Sequence, residues 1–436
     1  MPMHNNLKIL VFTVPSWNSK IGANSWATLL ENYPSENIAS VYIRDEFPDS
    51  NICSRYFNIS ENRILKSIFN RKIKTGREID TSVHDISEDT DLSEHNERYK
   101  KMSVKRRYSM LLAREFAWKL GKWKTKELND FLDDFKPDII LHSMEGYIHL
   151  NRITKYAIKR TKAKAIGYIW DDNFTYKQSS AIGYKIYRYF QRKSLKKLAK
   201  VTDAFFAISP MTKAEADRFF GINSIVLTKP LNNIPEYVEQ QYVFPLRILY
   251  TGNLYIGRDK SLQSLVEAIK QFSVDKKYFL LDIYTATQLS AEQKEKMECE
   301  NCTIHDAISQ SEVIKKQKES DILLFLEAMN GKYSRTARLS FSTKLTDYLS
   351  TGKPILAIGN EETVPMQYLK DHHAAMIASN REQIEDCLRK IINDPQILRE
   401  YAINACKCGT ENHDPQKIQE TFNRVLQEVY NLKGSV

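Results

Sequence analysis

Residues 342–354 read Ser-Thr-Lys-Leu-Thr-Asp-Tyr-Leu-Ser-Thr-Gly-Lys-Pro. Ser342 suits a helix N-cap, and Gly352 followed by Pro354 suits a stop. Leu345 and Leu349 stand four apart and form a stripe to bury, while Lys344 and Asp347 share another face. A helix start with free amides, the Ser342 and Thr343 hydroxyls and Lys344 can hold a phosphate. Asp347, one turn on, can accept hydrogen bonds from a diol. The same residues also read as a capped amphipathic helix with a solvated Lys–Asp pair. Residues 250–260 form the next candidate, with Gly252 and Asn253 in a turn between a strand and a helix. Glycine there lets the backbone approach a ligand. Arg258 and Lys260 offer two cations suited to a diphosphate.

In the first half, Asp171 and Asp172 follow an apolar strand, where paired carboxylates can orient a hydroxyl or act as general base. The competing reading is a turn closed by an Asx cap. His142 and Glu145 follow the preceding strand and are candidates to line an acceptor pocket; a structural role for His142 stays open. Asp89-Thr90-Asp91 matches a metal-binding Asp-x-Asp pattern, but residues 78–97 are so acidic that the match reads as coincidence. The six cysteines, Cys53, Cys299, Cys302, Cys387, Cys406 and Cys408, lack paired-knuckle spacing, so reduced thiols and no metal are expected. The pair His372-His373 reads as surface.

Strand-like and helix-like stretches alternate along the chain. Short apolar strands are expected at 8–14, 38–43, 139–142, 165–170 and 204–208, with helices between them, one spanning 101–135. Residues 229–245 hold Pro and Asn without a period and read as a linker. A second alternation starts at Arg247, with strands at 248–250, 278–284, 302–304, 322–326 and 355–357. Repeated β-α-β units with fully apolar strands imply two doubly wound, Rossmann-like α/β domains facing a cleft. The expected boundaries are 1–231, a linker at 232–246, 247–412, and a C-terminal helix at 413–436 returning to the first domain.

These motifs together resemble the GT-B glycosyltransferases of the group 1 / family 4 type. Residues 248–269 look like that family's opening strand–loop–helix of the donor domain, and 342–354 like its donor-binding helix. Residues 204–232 resemble the last strand–helix–strand of the acceptor domain, and 137–150 and 165–173 the two strands before it; residues 44–135 match nothing nameable. The resemblance implies that 1–231 binds acceptor and 247–412 binds a nucleotide-sugar co-substrate, with no further cofactor. It implies that Arg258 and Lys260 hold the donor diphosphate and that Gly252, Asn253, Ser342, Thr343 and Lys344 face it. Asp347 would take the ribose, strand end 304–308 with Ile308 would flank the base, and Gly22 would lie near the phosphates. It also implies metal-independent, usually retaining transfer to a glycan or lipid-linked acceptor, as in capsule and other surface polysaccharide assembly. The family often carries a second Glu eight residues before the ribose carboxylate, where this chain has Leu339. That departure keeps open a non-catalytic partner subunit.

The chain has 436 residues, 64 Lys and Arg against 54 Asp and Glu, a net charge of +10, and 42% hydrophobic residues. That is enough apolar material for packed cores, which excludes global disorder. A mean hydropathy of −0.48 and the lack of a long apolar run argue against a membrane span. The N-terminal residues resemble no signal peptide, so a cytoplasmic location is expected. The surplus charge lies in the first half, at 66–74, 100–126, 155–164 and 185–200, mixed with Tyr, Phe and Trp. Cations with interfacial aromatics suit an anionic membrane surface, and the expectation is peripheral attachment to the inner face of the cell membrane. A nucleic-acid groove is the less favoured reading, so no nucleic-acid partner is expected.

Overall fold

A computed structural model describes residues 6–17, 25–81 and 108–432. The chain divides into two compact units. The first takes the described residues up to Tyr176, Ser180–Leu227 and those from Gln419 on; the second takes Lys177–Ser179 and Thr228–Ile418.

The first unit is built on an eight-stranded sheet. Its strands are β1 (Ile9–Thr13), β2 (Ile38–Tyr42), β3 (Arg55–Ile59), β4 (Gly76–Ile79), β5 (Ile139–Ser143), β6 (Lys164–Ile169), β7 (Ala204–Ala207) and β8 (Ile225–Val226). They lie in the order β4-β3-β2-β1-β5-β6-β7-β8, parallel except for the β3–β4 pair. β1, β2 and β5 are buried at every position. Helices on both faces leave a parallel strand no solvent side, hence the continuous apolar runs. The helices are α1 (Ser25–Leu30), α2 (Glu61–Phe69), α3 (Tyr108–Leu120), α4 (Lys126–Phe135), α5 (Ile148–Thr161), α6 (Ile182–Ala199) and α7 (Pro210–Phe220). The single helix expected over 101–135 is two. Gly121 interrupts it, and Thr125 caps the second piece by accepting the Leu128 amide.

The second unit carries six parallel strands: β9 (Leu246–Thr251), β10 (Phe279–Thr285), β11 (Cys302–Asp306), β12 (Ile322–Leu326), β13 (Ile355–Ile358) and β14 (Met376–Ala378). Their order is β11-β10-β9-β12-β13-β14, which reverses direction between β9 and β12. Its helices are α8 (Arg258–Phe272), α9 (Ala291–Met297), α10 (Gln310–Glu319), α11 (Gly331–Ala337), α12 (Thr343–Leu349), α13 (Val364–Asp371), α14 (Arg381–Asn393) and α15 (Ile397–Asn412). Side chains alternate across the sheet as the pleat requires. Ile248, Tyr250, Ile322 and Leu324 pack with Leu265 and Ile269 of α8. Leu249, Leu323 and Phe325 pack on the other face with Leu345 and Leu349 of α12.

The last helix, α16 (Pro415–Asn431), joins the first unit from Gln419 on. Phe422 meets Trp26 and Phe206 at 6.3 and 6.0 Å between ring centroids, and Tyr33 donates to Asn423 Oδ1 at 2.9 Å. The expected return of the C-terminal helix is therefore present.

Candidate functional site

In an open α/β sheet, ligands sit at the carboxyl ends of the strands where the strand order reverses. In the second unit that point lies between the ends of β9 and β12. Gly252 leaves β9 at φ 140°. A Cβ there would collide with Lys344 Nζ, so the lysine takes up this position over a glycine. Lys344 Nζ sits 4.9 Å from the Tyr250 ring centroid. Burial, with the Arg258 charge beside it, pulls the Lys344 ammonium down to about 8. Arg258 donates Nε to the Leu326 carbonyl at 3.0 Å and Nη2 to Glu327 Oε1 at 2.9 Å. Ser261 donates to the Glu327 carbonyl at 2.7 Å, which fixes the turn that carries this carboxylate. The structure thus gathers Gly252, Arg258 and Lys344, three of the sequence candidates. It adds Tyr250 and Glu327.

Lys260 does not join them. Arg258 opens α8 and Lys260 stands two residues on, so they project roughly 200° apart around the helix. The two cations therefore meet different surroundings. Lys260 instead lines a cavity of about 780 Å³, together with Tyr255, Thr287, Gln293, Lys332 and Tyr333. Three loops form it, those after β9, β10 and β12. Its volume lies within the range of small-molecule sites, roughly 300–1,000 Å³. Lys332 and Tyr333 were missed in the sequence; α11 carries no periodic signal, and only the return of the β12 loop places them here.

The rest of the expected donor set makes other contacts. Ser342 occupies the N-cap of α12, but its side chain makes no capping bond, and the helix has only seven residues. Thr343 gives its carbonyl to the Thr346 hydroxyl at 2.8 Å. Asp347 Oδ1 lies 3.3 Å from both Lys229 Nζ and Asn232 Nδ2. Asn253 is exposed and its carbonyl accepts the Tyr250 hydroxyl at 2.7 Å. Ile308 lies two residues beyond β11, an edge strand, and does not line the cavity. Leu339 is fully buried as an apolar side chain.

In the first unit the order reverses between β1 and β5. Gly22, Asp89-Thr90-Asp91 and most of the acidic stretch 78–97 lie outside the described residues. Glu145 follows β5 and Asp171 follows β6, both half-buried. Burial, reinforced by the Asp171 charge and opposed by Arg44, pushes the Glu145 carboxyl up to about 7. Asp172 departs from the catalytic expectation. It is buried, its Oδ1 accepts the Thr175 amide at 2.9 Å, and its Oδ2 accepts the Thr175 hydroxyl. That is the Asx turn. His142 departs as well. It is 1% exposed within β5, its Nε2 lies 3.0 Å from Thr202 Oγ1, and burial holds it neutral, down to about 4. A side chain on the covered face of a parallel strand lines no pocket at the rim. The six cysteines are free thiols, and no group of three or more His, Cys, Asp or Glu among the described residues could hold a metal ion.

No protein-family model and no curated protein matches the chain. Solved structures do. A structure from the GtfA/B complex matches with a TM-score of 0.52 at 12% identity, over 70% of this chain and 60% of that one. Sucrose-phosphate synthase from Thermosynechococcus elongatus matches at 0.60 and 11% identity, over 98% of this chain and 100% of that one. Anabaena HepE in complex with UDP matches at 0.60 and 10% identity, over 97% and 100%. The fold is GT-B. Within a GT-B fold the second unit occupies the C-terminal position, and the cavity lies at its strand-order reversal.

Proposed function

We propose that the chain is a glycosyltransferase that moves a sugar from a nucleoside-diphosphate donor to a hydroxyl of a glycan acceptor. The observation that carries this reading is the cavity of about 780 Å³ at the reversal point of the second sheet, lined by Lys260 and Lys332. It is supported by the GT-B fold and by a neighbour solved with UDP and with UDP-glucose. Lys260 and Lys332 would neutralise the leaving diphosphate. Lys344, short of solvent yet charged at neutral pH, would meet the approaching anion. Arg258 would hold Glu327 in place and not touch the donor.

In the first unit, Glu145 and Asp171 would receive the acceptor hydroxyl. A carboxyl poised near 7 can exchange a proton at neutral pH, as general catalysis requires. The resemblance favours retention at the anomeric carbon and charge supplied by side chains, with a lipid-linked glycan of a surface polysaccharide as acceptor at the inner face of the cell membrane. Calorimetric titration of the purified chain with UDP, GDP and ADP tests the donor reading. Saturable binding of one of them, weakened in Lys260→Ala, is expected. Buried Leu339, where the family often has a carboxylate, favours a second reading, a non-catalytic partner subunit. Absence of binding by all three nucleotides would sink the first reading and leave the second.

A further inference from the structure

Three neighbouring helices of the first unit expose more apolar side chain than a solvated face needs. α3 packs against both α2 and α6. Tyr108 of α3 meets Tyr184 of α6 at 5.7 Å between centroids, and Arg71, just past α2, donates Nη1 to the Leu120 carbonyl of α3 at 2.9 Å. On the solvent side stand Phe69 of α2, Phe116 and Leu120 of α3, and Ile182, Ile186 and Phe190 of α6. Phe69 is 93% exposed and Ile182 77%. Single exposed apolar residues are ordinary, but several across three adjoining helices mark an interaction surface.

The charge on the same helices is of one sign. Lys66, Lys119, Lys185, Lys193, Lys196 and Lys197 are exposed. The only acidic residues in the three helices, Glu61 and Glu115, are engaged within the unit. Glu61 Oε1 accepts Arg114 Nε at 2.9 Å, and Glu115 accepts the His149 amide at 2.9 Å. Along α6 the outer face opens with Ile182, Ile186 and Phe190 and closes with Lys193, Lys196 and Lys197.

We infer that the α2–α3–α6 face docks on an anionic lipid bilayer, with the Phe and Ile side chains entering the headgroup–acyl boundary and the lysines pairing with headgroup phosphates. A nucleic acid would use the lysines but leave Phe69 and Ile182 in water. A second copy docked face to face would oppose lysine with lysine. A bilayer with anionic headgroups satisfies both halves of the surface at once. This surface rests on no part of the nucleotide reading.

Co-sedimentation with phosphatidylglycerol-containing vesicles, against pure phosphatidylcholine vesicles, tests it. The chain is expected in the pellet with the first and in the supernatant with the second. Lys193→Ala with Lys197→Ala should weaken partitioning roughly fivefold per lysine. Phe69→Ser with Ile182→Ser should weaken it about tenfold or more, and this loss should persist in high salt, where charge is screened. Thermal melting and nucleotide titration of both variants should match the parent, which separates lost docking from lost folding and from failure of the donor reading. The inference is overturned if the parent ignores anionic vesicles, if the Phe69/Ile182 variant partitions like the parent, if RNA shifts the chain while vesicles do not, or if light scattering shows a dimer that these substitutions dissolve.

Discussion

The carboxyl rim of the second sheet gathers cations, and that of the first gathers carboxylates. In the second unit Arg258, Lys260 and Lys344 stand on or beside the β9 turn, and one of them is matched by Glu327. In the first, Glu145 and Asp171 face each other's charge with Arg44 as partial relief. Both rims belong to parallel sheets with a reversal in strand order, so the backbone frame is the same. The side chains set on that frame differ in sign, which suits one rim to an anionic ligand and the other to proton exchange with a hydroxyl. The second rim also separates its cations by task. Arg258 is half-buried and tied to Glu327, Lys344 is half-buried with its charge disfavoured, and Lys260 is exposed to a cavity.

The sharpest break of this division is Arg258→Ala. It leaves Glu327 buried without its partner, which costs about 3–5 kcal/mol, so chemical denaturation should show a large loss of stability. A stable Arg258→Ala protein that merely loses nucleotide binding would return Arg258 to the ligand. Lys344 tests the same rim through pH. Its folded value near 8 lies below the ordinary 10.5 of lysine, so its burden on folding is present below pH 8 and is relieved as pH rises from 8 to 10.5. If an anion recruits its charged form, nucleotide affinity should fall about tenfold per unit above pH 8, and Lys344→Arg should flatten that profile. Lys260→Ala should cost roughly tenfold in nucleotide affinity and leave the melting temperature unchanged. Equal effects of the Lys260 and Arg258 changes on melting would erase the distinction between them.

The smallest effect concerns the first rim. The Glu145 carboxyl is raised from 4.5 to about 7, so the folded state binds a proton that the unfolded state has lost, and stability falls as pH rises across that window. Asp171→Asn removes the repelling charge. It should lower the Glu145 titration, read by NMR, and recover about 1 kcal/mol at pH 8, a modest figure because the group is only half-buried.

Much of the fold was legible from the apolar runs at 9–13, 38–42 and 322–326, because a strand covered on both faces must be apolar throughout. The break of the expected long helix near Gly121 was written in a Gly and a capping Thr, but its periodic residues run on across the gap. The site was less legible. Arg258 and Lys260 look equivalent as neighbouring cations in a loop, and they differ only because α8 begins at Arg258 and turns them apart. Asp171 and Asp172 look like a pair, and alternation at the strand end sends one to the rim and the other into a turn with Thr175. His142 follows the same logic, since its place inside β5 rather than beyond it decides that it is core.

By itself the sequence determined the periodicity, and with it two α/β units, and a surplus of lysine confined to the first half. Those are local properties, readable from neighbours within a turn or a pleat. The tertiary structure decided which side chains share a space. Lys344 reaches the β9 turn over Gly252 from almost a hundred residues away, Glu327 meets Arg258 across the strand-order reversal, and α2, α3 and α6 merge their outer faces. Such contacts depend on how sheets order their strands and helices choose their faces, and no residue's immediate neighbours in the chain carry that information.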